Sequence, residues 1–412
     1  MLVPTWIDHA VWWHVYPLGF TGALRSAPGH RLSQITDWLD YAVELGASGL
    51  QLGPVFASET HGYDTVDHFR IDPRLGDDDD FDKLIGAARE LGLRVLLDGV
   101  FNHVGHNFPA PSRWLTGGDF EGHAALRELD HDEPEVLDHT ARVMSHWLDR
   151  GAAGWRLDAA YAVKPAFWKA AVDRVRLTHP QAWFVGEVIH GDYAAFLRDS
   201  GLDAVTQYEL WKAVWSSLND GNFFELSWAL DRHAAVVEAG PPLTFVGNHD
   251  VTRIATRLTD PRHLGHALAV LCMVGGVPSI YYGDEQAFRG TKEDRAGGDD
   301  EIRPQFPAGP SELAPYGWPV FRLHQRLLGL RRRHSWLTHA VTRATRLTNK
   351  AVVLTSTAAD HYLILLLNVG DDTYRFPIAT DGLVIAESSA QSDHPATVPA
   401  HGWSVLIPAA SL

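Results

Sequence analysis

The sequence predicts an α/β fold: a (β/α)8 TIM barrel with a short excursion after its third strand and an antiparallel β domain at its carboxyl end. Three observations predict it. Short apolar runs alternate with amphipathic helical stretches, those runs number eight up to residue 285, and acidic residues recur where the runs stop. Alternation of this kind requires parallel strands joined by crossover helices, and eight such units close on themselves. A doubly wound open sheet is disfavoured, because it would gather a ligand site at one switch point rather than at several strand ends.

The eight runs are Val11–Pro17, Ala47–Pro54, Arg94–Val100, Gly154–Asp158, Ala182–Val188, Ala204–Leu210, Leu243–Asp250 and Val277–Glu285. Between them lie helical patterns over Leu32–Leu45, Asp80–Leu91, Pro134–Arg150, Pro165–Leu177, Phe224–Glu238, His263–Val274 and Trp318–Arg333. Many open on Pro or a carboxylate and stop near Gly46, Gly92, Gly151 or Gly275, as helix start and stop signals require. The acidic run Asp77–Asp80 is expected to cap the helix that follows it. Between the third strand and Pro134 lies a stretch rich in His, Gly, Pro and Asp, and long βα loops carry function. Past Arg333 the pattern changes to short β-rich pieces, Ala351–Thr357, Tyr362–Val369, Thr373–Ile378, Gly382–Ala386 and Trp403–Ile407. The expected domains are therefore a barrel over 1–103 and 134–335, an excursion over 104–133, and a β-sandwich over 336–412.

Composition sets the class. A chain of 412 residues, 45% hydrophobic and 21% charged, buries a large core. A net charge of −16 spread along the chain argues against nucleic acid or an anionic membrane as partner. The single cysteine, Cys272, cannot form an internal disulfide and reads as a small buried hydrophobe. The stretch from Met1 to Asp8 lacks a basic segment followed by an apolar one, and no later run reaches membrane-spanning length, so a cytoplasmic protein is expected.

Four acids close apolar runs: Asp98, Asp158, Glu187 and Asp250. An isolated carboxylate at the rim of a core is costly to desolvate, so the repetition points to a shared site where acids do chemistry. Arg156 and Asp158 are two apart on one strand and face the same side, where the guanidinium holds the carboxylate ionised as a nucleophile requires. Glu187 follows Gly186, and close packing there is expected to keep it protonated as a general acid. Carboxyls on neighbouring strand ends suit the spacing of about 5 Å found in retaining glycosidases. Asp250 beside His249 is placed to bind sugar hydroxyls and offset oxocarbenium charge.

Four motifs then carry a resemblance: Asp98-Gly-Val-Phe-Asn102-His103, Gly154-Trp-Arg156-Leu-Asp158, Gly186-Glu187-Val188 and Val246-Gly-Asn248-His249-Asp250. In this order the chain resembles the α-amylase family of glycoside hydrolases, family 13. It is most similar to the cyclomaltodextrinase, neopullulanase and maltogenic amylase branch, through Trp6 to Pro17, His61 to Pro73 and Gly276 to Glu285. The resemblance implies Asp158 as nucleophile, Glu187 as acid/base and Asp250 as transition-state stabiliser. It also implies that Arg156 orients the nucleophile, that His103 and His249 bond the bound glucose, and that Tyr63 is its stacking platform. Asp98 is implied to be a structural anchor, and Asn102 matches a position that contacts calcium in many relatives.

The chain departs from the branch in reading Arg127-Glu128-Leu129-Asp130 where Pro-Lys-Leu-Asn is usual. It lacks the Asp/Asn-rich calcium loop after the first strand, so no required metal or other cofactor is expected. The branch's extra amino-terminal β domain is not seen ahead of the barrel, and oligomeric state does not carry over. Among 23 histidines, His14, His61, His106 and His190 read as ordinary hydrogen-bonded groups, and no His-Glu-x-x-His motif supports a zinc hydrolase. Of 15 tryptophans, Trp211, just past the sixth strand, is the one subsite candidate. Two functions of different class stand open: a glycosidase or transglycosidase on α-linked gluco-oligosaccharides, or an inactive member serving as a binding subunit. The intact acids favour the enzyme. Hydrolysis against transglycosylation, and α-1,4 against α-1,6 preference, are not decided by the sequence.

Overall fold

The computed structural model describes residues 4–295 and 297–411; the first three residues of the amino-terminal stretch lie outside the described residues. The chain divides into two units, one mainly of Val11–Thr206 with Arg303–Leu313, the other mainly of Gln207–Ile302 with Ala314–Leu412. The fold is a (β/α)8 barrel with a carboxyl-terminal antiparallel sheet of five strands.

Six barrel strands belong to the first unit: β1 (Trp12–Val15), β2 (Gly49–Leu52), β3 (Arg94–Gly99), β4 (Gly154–Leu157), β5 (Trp183–Gly186) and β6 (Ala204–Val205). Each pairs in parallel with the next in chain order. The β3–β4 register sets Asp98 opposite Arg156, and the β4–β5 register sets Arg156 opposite Val185. Side chains in register on parallel strands face the same side, and so do residues two apart on one strand. Asp98, Arg156, Asp158 and Glu187 are thereby committed to one face. Gly154 is required for this pairing, because a Cβ there would meet the Trp183 carbonyl oxygen at 2.0 Å.

Helices pack around these strands much as their signals predict. Asp77 caps Asp78–Glu90 in a capping box with Asp80, and Pro opens both Pro134–Asp149 and Pro165–Arg176. The expected helix over Leu32–Leu45 is two pieces, Leu32–Thr36 and Leu39–Leu45. The break falls at Trp38, whose ring packs 4.5 Å from Phe306 and whose Nε1 donates to the Pro307 carbonyl. The excursion after β3 is a three-stranded antiparallel sheet of His103–Gly105, Leu115–Asp119 and Leu126–Leu129. A second hairpin, Phe56–Ser58 with Thr65–Ile71, follows β2.

The second unit holds β7 (Leu243–Thr244) and β8 (Val277–Tyr281), also parallel, with helices Tyr208–Asp220, Phe224–Ala239, Leu264–Met273 and Trp318–Arg333. The sixth to eighth strands are shorter than their runs, because the sixth run continues into the helix Tyr208–Asp220, the seventh into a loop and the eighth into a buried turn. Beyond them lie β9 (Val341–Leu347), β10 (Ala351–Ala358), β11 (His361–Asn368), β12 (Leu383–Ser388) and β13 (Gly402–Pro408), in the order β9-β10-β11-β13-β12. Strand β9, half exposed and interrupted by charges, gives no apolar run in the sequence. The sheet closes over a core that includes Val353, Leu366, Phe376, Val398 and Leu406. Among the described residues no helix is long and apolar enough to cross a membrane.

Arg331 ties this unit together. Its buried guanidinium donates to the Cys272 and Val274 carbonyls at 2.8 Å and to the Gly276 carbonyl, all at the end of Leu264–Met273. Replacing it by Met leaves three acceptors without donors, at about 1 kcal/mol or more each. Arg331→Met is therefore expected to lower unfolding stability by about 3 kcal/mol, read as a shift of the urea midpoint.

A pH dependence follows from the buried rings of His68, His233 and His324, which donate to the carbonyls of Val100, Gly275 and Val320. Burial lowers each from 6.5 to about 4. Between those values the unfolded chain binds more protons than the native one, so stability falls as pH drops, by about 1.4 kcal/mol per pH unit for each ring. Urea midpoints are expected to be flat above pH 7 and to decline from 6.5 toward 4. A His233→Gln variant should show a shallower decline; equal midpoints at neutral and mildly acid pH would contradict the account.

Candidate active site

The face built by β3, β4 and β5 carries a single guanidinium among three carboxyls. Arg156 Nη1 lies 2.8 Å from both Asp98 oxygens and 2.9 Å from Asp158 Oδ1, while Nη2 lies 2.6 Å from Glu187 Oε1. The other Glu187 oxygen accepts from the Ala159 amide at 3.0 Å. Ala159 sits in the left-handed region at φ 45°, so the chain turns sharply just past Asp158 to present that amide. Asp158 and Glu187 each keep a sliver of exposure, whereas Asp98 is sealed.

Charge balance governs the cluster. Burial pushes the Asp98 carboxyl up to about 7, opposed by Arg156 and reinforced by Asp158 and Glu187. Arg156 is held well above its ordinary value by the carboxylates around it, against its own desolvation. Three carboxyls exceed the charge of one guanidinium, so the group retains a proton near neutrality.

Tyr63 and His103 join this group. The Tyr63 hydroxyl donates to Asp98 Oδ2 at 3.1 Å, and the Arg156 guanidinium lies 5.9 Å from its ring centroid. His103 Nε2 bonds the Tyr63 carbonyl at 3.1 Å, and Asn102 Nδ2 donates to Nδ1 at 3.1 Å. Burial lowers His103 to about 4, leaving a neutral ring with both nitrogens engaged. Phe120 covers it face to face at 4.6 Å. Tyr161 donates to Glu121 at 2.8 Å and packs on His190. Phe120, Glu121 and Tyr161 carry no motif and were invisible in the sequence; the left-handed φ of 52° at Glu121 has no sequence signal for a non-glycine residue.

In the second unit, β7 leads into Asn248, His249 and Asp250. His249 Nε2 lies 3.0 Å from Asp250 Oδ2, and the Asp250 amide donates to Asn248 Oδ1 at 2.8 Å. Asn248 in turn donates to the Tyr208 hydroxyl at 2.9 Å. Gly247 is required before them, since a Cβ there would meet Asp284 Oδ2 at 2.1 Å. Asp284 itself is anchored by Arg253 Nη1 at 2.8 Å, in keeping with a scaffold role. Trp211 stands on the first turn of Tyr208–Asp220 rather than on a loop. It is half-buried, stacked on Phe245 at 6.5 Å and edge-on to Trp215.

The family model "Alpha amylase, catalytic domain" matches residues 14–116 and 120–311. A cyclomaltodextrinase of Bacillus sp is 28% identical over 70% of this chain and 61% of its own length. Neopullulanase 2 of Thermoactinomyces vulgaris is 28% identical over 89% of this chain and 70% of its own. The chain thus spans about three fifths of the length of the first of these relatives. An acarbose-soaked crystal structure of a Nostoc punctiforme debranching enzyme superposes with a TM-score of 0.81 at 25% identity, covering 99% of this chain and 100% of that one. A matched catalytic-domain model over most of the chain, carried on a (β/α)8 barrel, means that this protein belongs to the alpha-amylase family.

Proposed function

We propose that the protein is a retaining glycoside hydrolase that cleaves glucosidic bonds, α-1,4 and also α-1,6, in maltooligosaccharides and in cyclic or branched α-glucans. The observation that carries the reading is the Arg156 fork, whose two nitrogens hold Asp158 and Glu187 side by side. Two carboxyls on the arms of one guanidinium support the close spacing of retaining enzymes, about 5 Å, in which no water is interposed before the first attack. The names of the relatives, a cyclomaltodextrinase, a neopullulanase and a debranching enzyme, support the substrate class.

Asp158, kept ionised by Arg156, attacks the anomeric carbon and forms a covalent β-glucosyl-enzyme. Glu187 delivers a proton to the leaving oxygen, then takes a proton from water as that water releases the sugar with its α-configuration. Asp250, oriented by His249, offsets the oxocarbenium charge. Tyr63 offers an aromatic face to the glucose ring, and Trp211 a half-buried edge. His103 holds Tyr63 in place and reaches a sugar hydroxyl by exchanging its bond to the Tyr63 carbonyl.

Asp158→Asn and Glu187→Gln are each expected to lower turnover on maltooligosaccharides by at least about 1,000-fold, given the size of covalent and acid-base contributions, with unchanged thermal unfolding. Wild-type-like rates in either purified variant would refute the assignment. The two roles separate on α-glucosyl fluoride, whose leaving group needs no protonation. Glu187→Gln should keep far more activity on it than on maltotriose, and Asp158→Asn should not. Proton NMR of the first product formed by the native enzyme is expected to show the α-anomer.

A further inference from the structure

A second group of chemically competent side chains lies in the unit that carries the carboxyl-terminal sheet, away from the catalytic acids in sequence. Asp260, His263 and His401 bring one ligand atom each to within 4.8 Å of one another. Asp260 and His263 flank the short 3-10 turn Pro261–His263, where residues three apart fall on the same side. His401 stands just ahead of β13, at a left-handed φ of 51° that only a constrained non-glycine residue adopts. The backbone there is pinned by the His401 amide donating to the Gly370 carbonyl at 3.1 Å.

The tautomers decide what can sit among them. His401 Nε2 lies 3.0 Å from Asp371 Oδ1, so that nitrogen carries the proton and Nδ1 presents a lone pair. The His263 ring hydrogen-bonds the Leu218 backbone carbonyl with its proton, while Nε2 faces His401 Nδ1 at 3.0 Å. Two imidazole lone pairs pointed at each other at this distance repel unless a cation lies between them. Asp260 Oδ2, 3.9 Å from His401 Nδ1, adds a negative charge on the same side. Arg262 holds Asp260 from the solvent side and its side chain is 60% exposed.

We infer that Asp260, His263 and His401 form a binding site for a borderline divalent cation, zinc above all, that clamps the helix Leu264–Met273 to the β13 end of the antiparallel sheet. Zinc takes two neutral imidazoles and a carboxylate at about 2.0–2.2 Å in tetrahedral geometry, with adjacent ligand atoms about 3.3 Å apart. The two ring nitrogens need to open by a few tenths of an ångström, and Asp260 to close by somewhat more, with water completing the set. Asp371 on His401 Nε2 is the carboxylate–histidine arrangement that orients a ligating ring and raises its basicity. The site is structural, and nothing in the proposed hydrolysis depends on it.

The test is a titration of the full chain, stripped with chelator, with zinc chloride, following bound metal by calorimetry and the thermal midpoint by fluorescence. One equivalent is expected to bind and to raise the midpoint by several degrees. His401→Asn, chosen because Asn tolerates the left-handed backbone, should abolish both effects while folding normally. Asp371→Asn should weaken binding by about 10–100-fold. A native chain that takes up no zinc at micromolar concentration would overturn the inference and leave the pair sharing a proton. Unchanged stoichiometry in His401→Asn would also overturn it.

Discussion

The arrangement on which the rest of the site depends is one buried arginine answering three carboxyls. Arg156 is sealed from solvent with Asp98 on one side and Asp158 and Glu187 at its two nitrogens. Desolvating a guanidinium costs several kcal/mol, roughly, and would be prohibitive without that company. Desolvating three carboxyls without the guanidinium would be worse. Each group is therefore tolerated by the presence of the others. The excess of negative charge, with burial, raises the Asp98 carboxyl to about 7.

This cluster explains features of the scaffold that have no catalytic part of their own. Gly154 lets β4 approach β5 closely, and the resulting register puts Arg156 level with both neighbours. Asp98 acts as the inner anchor, bonded by both Arg156 and Tyr63, so that the guanidinium presents its remaining edges outward. The turn at Ala159 then supplies an amide to Glu187 that no side chain in the sequence announces. In the second unit the same economy recurs on a smaller scale. Asn248 bridges the Tyr208 hydroxyl and the Asp250 amide, so one side chain orients the loop that carries His249 and Asp250.

Beyond the acidic cluster, buried histidine is a recurrent structural element. His68, His233 and His324 act as neutral donors to backbone carbonyls, satisfying acceptors that would otherwise be orphaned in the core. His263 and His401 differ because their proton-bearing nitrogens are already engaged elsewhere, which turns the facing nitrogens into ligands. The same residue type thus serves as a core donor or as a ligand, according to where its one proton is directed.

Barrel class, the order of the strands and the grouping of Asp98, Asp158 and Glu187 at strand ends were legible in the sequence, because strand periodicity and strand-end charge are local properties of the chain. The capping of Asp78–Glu90 by Asp77 was legible for the same reason. Tertiary structure decided what local pattern cannot hold. His103 has both nitrogens occupied, Trp211 lies on a helix, Phe120 covers His103, and His263 meets His401 across 138 residues. The short strand β7 also escaped its sequence boundaries, since a buried loop is as apolar as the strand it extends. Periodicity reports which face a residue turns to the core; which partner waits there is set by register and by loops that pack from distant parts of the chain.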